Sequence, residues 1–531
     1  MKEALLTFFF YHINLTFAFV MKATKEEFTQ NIQAAYSGKN SILLGSAVYN
    51  EELCLDAQVR IPLKTLNRHG LISGATGTGK TVSLQLMAES LCLAGVPVLL
   101  MDLKGDLAGL SQLGSENSKA GERNKSLGIG FSAKKVNTEF FTLTHKRGVP
   151  LRATVSEFGP VLFSKILDLN DTQSSLVAML FKYADDNKLL LLDLDDFKQL
   201  LQHSLQEGKE ALQKNYGNVS SASISTILRK VVELESQGAA VFFGEKSFEV
   251  DDLLHLDAEG KGQCSVISLA DIQDKPKLFS TFMLCLLAEV YATFPEAGDL
   301  EKPKLCLFID EAHLLFKNAS DALLEQIESI VKLIRSKGVG LFFVTQNPND
   351  IPDAVLSQLG LKVQHALRAF TEKDRKAIKK ASENFPITNY YDTAEVLTNL
   401  GIGEALVTAL NEKGIPTPLA MVRMKAPESR IGSISEAEME SVLKSSQLIS
   451  KYSTVINRES AYEILTKKIL TKDAETVTEE KKPVSREEPS LIESVSSNPL
   501  MKQIGRTVAR ELTRGLLGVL GFGTTQRRKK Y

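Results

Sequence analysis

Residues 74–81 read GATGTGKT, an ungapped fit to the pattern G-x-x-x-x-G-K-[ST]. A glycine cluster by itself marks only a turn, because glycine is the default residue wherever φ must be positive. The surroundings restrict this cluster further. Leu71 and Ile72 end an apolar run before it, and Val82, Leu84, Leu86, Met87 and Leu91 recur after it at roughly helical spacing. A strand, a glycine loop and a helix in that order turn several backbone N–H groups toward one anion, and the helix adds the positive end of its dipole. The pattern therefore predicts a phosphate cradle for ATP made by Gly74, Thr76, Gly77, Thr78, Gly79, Lys80, Thr81 and Val82. Lys80 would bring a mobile cation to the β and γ phosphates, a catalytic role, and the Thr81 hydroxyl would join the shell of a Mg²⁺ ion.

Such a loop needs an acidic strand end as its partner. Leu305 to Ile309 is apolar and is followed by Asp310 and Glu311. We expect Asp310 to hold Mg²⁺, directly or through water, and Glu311 to orient and polarise the attacking water. The alternative is a helix N-terminus at which the two acids merely complement the dipole. Asp310, Glu311, Ala312 and His313 also spell the box of a large helicase superfamily. Those proteins place the box much closer to the phosphate loop and follow it with a second motor domain. Here roughly 230 residues intervene and too little α/β pattern remains afterwards, so His313 is read as a local structural residue.

At 531 residues the chain exceeds the size at which a single core stops growing. We read 41–115 and 239–432 as an α/β core with a parallel sheet, interrupted by a mainly helical insertion at 116–238 and ending in a β-hairpin around Gly414. A helical segment follows at 433–470, then a charged linker at 471–494 and a basic tail at 495–531. Residues 1–40 form an N-terminal extension. Its first twenty residues are apolar but are broken by His12 and Asn14, and "MKATKEEF" from Met21 reads like a cytosolic start, so translation before Met21 is left open. A formal charge of −1 denies the chain bulk attraction for nucleic acid, so any such contact needs a local patch. The five cysteines are scattered without the paired spacing of a zinc site, and no histidine is assigned to a metal. A cytoplasmic protein is expected.

The stretches "RHGLISGATGTGKT", "MDLKGDL", "LFIDEAHLLF" and "FFVTQNPNDIPDAVLSQLG", in this order, resemble the HerA-FtsK division of P-loop ATPases, and within it the HerA-like bacterial proteins of the YjgR type. The resemblance runs from about His69 to Gly432. It implies a RecA-like ATPase core, a homo-hexameric assembly, and hydrolysis of ATP coupled to movement along double-stranded DNA or another polymer. It also implies that Gln346 senses the γ-phosphate and that an arginine, Arg368 or else Arg335, completes a neighbouring subunit's site, a contribution worth ~10³ to 10⁵ in rate. One departure stands out: proteins of this kind carry a β-barrel before the phosphate loop, and the short stretch preceding it here leaves room for at most a hairpin.

Three functions stay open on the sequence. They are a ring motor with DNA as its track, a nucleotide-dependent switch with little turnover, and a membrane-associated ATPase of the secretion kind. No base-reading module is visible, so DNA contact is expected to be independent of sequence and sensitive to salt. In the tail, Ile504, Val508, Leu512 and Leu516 recur at helical spacing beside Arg506, Arg510 and Arg514. Such a stretch could meet an anionic membrane or a polyanion, or dock on the protein's own core.

Overall fold

The computed structural model describes residues 23–468, apart from 145–146, 274, 299, 318–320, 455 and 457. The basic tail and the first twenty residues lie outside the described residues, as does the charged linker.

The described strands form one sheet. In chain order they are β1 (Ser41–Tyr49), β2 (Glu52–Pro62), β3 (Gly70–Ser73), β4 (Val98–Asp102), β5 (Thr138–Thr142), β6 (Val149–Pro150), β7 (Cys264–Ser268), β8 (Leu305–Ile309), β9 (Val339–Thr345), β10 (Leu361–Gln364), β11 (Glu404–Thr408) and β12 (Ala420–Met424). Their spatial order is β2-β1-β12-β11-β10-β3-β9-β8-β4-β7-β5-β6. From β10 to β6 every pairing is parallel. From β10 to β2 every pairing is antiparallel. The fold is thus mixed α/β with a large parallel section, and the hairpin of β11 and β12 continues the sheet as expected.

Parallel strands are buried on both faces, and β8 shows how. Leu305, Leu307 and Ile309 pack into a core shared with the helices Val155–Ile166, Pro276–Thr293 and Asp321–Ile334. Cys306 and Phe308 face the opposite core, which contains Leu84, Met87 and Leu91 of the helix Lys80–Leu93. The two-residue alternation carries the next residue, Asp310, to the side of that helix.

One feature differs from the sequence reading. Thr138–Thr142 lies within the stretch read as a helical insertion, yet it pairs with β7 along its whole length and extends the sheet. Its Phe140 and Phe141 point into opposite cores, which a five-residue strand can do without any helical period. The segment before the phosphate loop, where the sequence leaves room for at most a hairpin, is a long one with strands of nine and eleven residues. It pairs through β1 with β12 and is covered by the helix Lys25–Ala35, whose Phe28 stacks on Tyr49 with ring centroids 4.7 Å apart.

Between β6 and β7 lie the helices Val155–Ile166, Asp171–Asp186, Leu194–Leu205, Lys209–Asn215 and Ser221–Ser236. Thr154, Asn170 and Asp193 cap three of them in reciprocal side-chain to backbone pairs, which satisfies first-turn N–H groups. Phe158, Phe163, Phe181, Phe197, Phe242 and Phe243 fill the space between them. Past the hairpin, the helix Gln447–Ser453 returns to this layer. There Tyr452 is buried, its carbonyl oxygen accepts from Arg152, and Lys451 bonds Asp252 at 2.7 Å.

Candidate functional site

β3 delivers the chain into the loop at Gly74, and the helix Lys80–Leu93 departs at its far end. Gly74, Gly77 and Gly79 all have positive φ, of 150°, 78° and 113°. A Cβ on Gly74 would stand 2.5 Å from Cβ of His365, so the loop lies directly on the chain that follows β10. At Gly77 a Cβ would meet nothing within 4 Å, which marks the open side of the cradle. Thr76 is exposed, Thr81 and Val82 are half-buried, and Thr78 is buried with its hydroxyl donating to the Ala75 carbonyl oxygen at 2.7 Å.

Several distant segments hold the loop from below. Ala75 donates its N–H to the Ala366 oxygen at 2.8 Å, and Gly403 donates to the Thr78 oxygen at 3.0 Å. Ser73 bonds Gln364, and His365 lies between Ser83 and the Glu404 carbonyl. Arg123 donates to the Ile402 oxygen at 2.9 Å, next to the turn that carries Gly403. None of these supports follows from local sequence, because all but the 39-residue link from His365 to Glu404 join residues at least 279 positions apart.

Lys80 is 7% exposed and donates to the carbonyl oxygens of Gly74 at 2.6 Å and Ala75 at 3.1 Å. Burial lowers its pKa, Glu311 and Asp310 counter this, and Lys104 adds to it. The ammonium therefore shares its electrostatic surroundings with both acids. Asp310 is 4% exposed, and its Oδ2 is buried and accepts no hydrogen bond. Burial, then the neighbouring Glu311, push its carboxyl up to about 7. A buried carboxylate oxygen lacking a donor, set among other acids, is a group that a divalent cation would complete. Asp310 together with the hydroxyl of Thr81 fits Mg²⁺ in this respect.

Glu311 sits in the left-handed region at φ 47° and is 7% exposed. Lys104 Nζ lies 2.6 Å from its Oε1, His313 Nδ1 lies 3.3 Å from its Oε2, and Gln346 Nε2 is 3.5 Å from both oxygens. Burial works to raise this carboxyl, but Lys104, with help from His313 and Gln346, outweighs it and holds the pKa below its ordinary value. Gln346 follows β9, the strand between β3 and β8, which explains how it reaches the acid.

The structure thus brings Lys80, Asp310, Glu311 and Gln346 to one end of the parallel strands, where ligands of open α/β sheets bind. It does not bring Arg368 or Arg335 into that group. Arg368 is exposed two residues past Ala366. Arg335 is exposed at the opposite end of the sheet, where with Arg68, His69 and Lys332 it lines a cavity of about 300 Å³. Lys104 is the site residue the sequence reading passed over. Its signal was available, since "MDLKGDL" ends β4, the strand beside β8.

A family model described as "Helicase HerA-like C-terminal" matches residues 49–528. The DNA double-strand break repair helicase HerA of Sulfolobus acidocaldarius is 22% identical over 375 residues, covering 68% of this chain and 66% of that protein. Its namesake from Sulfurisphaera tokodaii is 23% identical over 412 residues, covering 76% of this chain and 74% of that protein. The DNA import protein CedB of Sulfolobus acidocaldarius is 24% identical over 358 residues, covering 67% and 52%. The chain thus spans just under two thirds of the first of these relatives and about half of the third. Among solved structures, the plasmid coupling protein TrwB in complex with ADP and Mg²⁺ superposes with a TM-score of 0.51 at 14% identity, over 76% of this chain and 93% of that one. At that identity the likeness concerns the fold.

Proposed function

Because the chain belongs to the helicase HerA-like C-terminal family, we propose that it is an ATP-hydrolysing ring motor, a homo-hexamer that moves along double-stranded DNA without sequence preference. The observation that carries this reading is the arrangement of the phosphate loop opposite Asp310 and Glu311, with Lys80 coupled electrostatically to both acids. The relatives support DNA as the track, since the names of HerA and CedB both refer to DNA.

In this mechanism the N–H groups of Thr76, Gly77, Gly79 and Lys80 bind the phosphates, and Lys80 exchanges its two loop carbonyls for phosphate oxygens. Thr81 and Asp310 hold Mg²⁺, which when bound neutralises charge on the phosphates and helps to orient them. Glu311 polarises the attacking water, and Gln346 couples Glu311 to the γ-phosphate. Arg368, exposed on the segment that supports the loop, reaches the site of the neighbouring subunit. The tail Arg506, Arg510 and Arg514 contributes a salt-sensitive polyanion contact in an otherwise nearly neutral chain. No helix among the described residues is long and apolar enough to cross a membrane. We place the protein in the cytoplasm.

The test is ATP turnover with and without duplex DNA, for the wild type, Lys80→Ala and Glu311→Gln. Lys80→Ala should lose hydrolysis and bind ATP weakly. Glu311→Gln should bind ATP yet turn over slower by at least ~10²-fold. Near-normal turnover in Glu311→Gln would sink its role as base. A wild type that binds ATP but scarcely hydrolyses it, with or without DNA, would favour a nucleotide-dependent switch.

A further inference from the structure

The carboxylate that polarises water in the proposed reaction is already engaged. Lys104 Nζ sits 2.6 Å from Glu311 Oε1, a charge-assisted contact at the short end of its range. A carboxylate oxygen accepting from an ammonium is a poorer acceptor for the proton of a water molecule. The loop that carries Lys104 is built to hold it there. Asp102, 2% exposed at the end of β4, accepts the N–H groups of Lys104 at 3.1 Å, Gly105 at 2.7 Å and Leu107 at 3.0 Å. Gln273 donates to the Leu103 carbonyl oxygen from the other side. The backbone of 102–107 is therefore fixed, while the Lys104 side chain, 44% exposed, borders solvent.

It also has somewhere to go. Asp106, two residues on, is half-buried, its Oδ1 is buried with no hydrogen-bond partner, and it lies within electrostatic reach of both Lys104 and Glu311. Gly105 between them has a φ of 75° with open space around it, so the turn that sets Asp106 beside Lys104 is one that a side chain would disfavour.

We propose that Lys104 is a positioning residue that restrains Glu311 in the resting enzyme, and that transfer of its ammonium from Glu311 to Asp106 frees the carboxylate for hydrolysis. This rests on the reading of Glu311 as the base. It assigns the "LKGD" turn a control over turnover exercised through Glu311, because Lys104 is paired with that acid and, among the described residues, donates no hydrogen bond to the phosphate loop.

The experiment compares steady-state ATP turnover without DNA for the full-length wild type, Lys104→Met, Lys104→Arg and the double variant Lys104→Met with Glu311→Gln. Lys104→Met should raise kcat in the absence of DNA by roughly fivefold, the factor a partly exposed ion pair commands, with KM for ATP unchanged. DNA should then stimulate it less than the wild type. Lys104→Arg, which keeps the cation, should stay near the wild type, and the double variant should be as slow as Glu311→Gln alone. A residue needed only for folding would lower kcat and would not be rescued by arginine. Unchanged or reduced kcat in Lys104→Met, with the wild type active and Glu311→Gln slow, overturns the restraint while leaving Glu311 as the base. Normal turnover in Glu311→Gln overturns the underlying reading instead.

Discussion

His365 Nε2 lies 2.9 Å from Ser83 Oγ beneath the phosphate loop, joining the strand end after β10 to the first turn of the helix that follows the loop. The other ring nitrogen, Nδ1, lies 2.8 Å from the Glu404 carbonyl oxygen, which can only accept. The proton is therefore on Nδ1, and Ser83 donates to Nε2. His365→Ala removes both bonds, opens space beneath Gly74, and leaves a buried carbonyl without its donor. We expect a loss of about 2–4 kcal/mol in stability and a weaker affinity for a non-hydrolysable ATP analogue. Calorimetric titration with that analogue checks it, and an unchanged Kd would separate His365 from the site.

A second buried imidazole, His69, is satisfied in the same manner. Leu341 donates its N–H to Nδ1 at 3.0 Å, and Nε2 donates to the Val331 oxygen at 2.8 Å. Burial depresses both histidines to about 4, with a nearby cation adding to it: Arg335 for His69 and Lys80 for His365. Between pH 6.5 and 4 the unfolded chain binds protons that the folded one refuses, so stability falls as pH falls through that window and levels off below it. Each histidine contributes at most about 3 kcal/mol to this loss. Melting temperatures at pH 7 and pH 5 should differ for the wild type and differ less for His365→Asn. Equal slopes for the two proteins would remove His365 from the account.

Two glycines of the loop should respond differently to the same methyl group. At Gly74 a Cβ collides with His365 at 2.5 Å in addition to the backbone strain of φ 150°. At Gly77 only the strain of φ 78° remains, about 1–2 kcal/mol. Gly74→Ala should lose ATP binding and much of its thermal stability, whereas Gly77→Ala should fold nearly as well as the wild type. Similar melting temperatures for the two variants would contradict the contact between the loop and His365.

How much of this could be read from the sequence follows from which interactions are local. The spacing of Gly74, Gly77 and Gly79 before Lys80, and an apolar strand ending at Asp310, are local patterns, so the loop and its acidic partner were visible. The hairpin around Gly414 was visible for the same reason. Thr138–Thr142 was hidden because a five-residue strand inside a polar stretch has no period to detect, and only its pairing with β7 defines it. His365 beneath Gly74 and Lys104 beside Glu311 were hidden because they are contacts across the sheet. The letters "MDLKGDL" were noticed, but only the adjacency of β4 and β8 turns Lys104 into a partner of Glu311.

The last expectation concerns the ring. Arg368 is exposed, while the chain just before it bonds the phosphate loop at Ala75 through Ala366, and the strand and helix that flank the loop at Ser73 and Ser83 through His365. A cation in that position is well placed to report the state of its own loop while acting on a neighbour's nucleotide. Arg368→Ala should therefore bind ATP normally, because the cradle is intact, and hydrolyse it slowly, because each site lacks the neighbour's cation, by up to ~10³-fold or more. Lys80→Ala is inactive for the opposite reason, having the arginine and lacking the loop cation. Mixed rings then contain boundaries where an intact loop meets an intact arginine, so mixing the two inactive proteins should recover part of the turnover. If Arg368→Ala alone is fully active, or if the protein stays monomeric with ATP at the concentrations that support turnover, a site shared between subunits through Arg368 is ruled out.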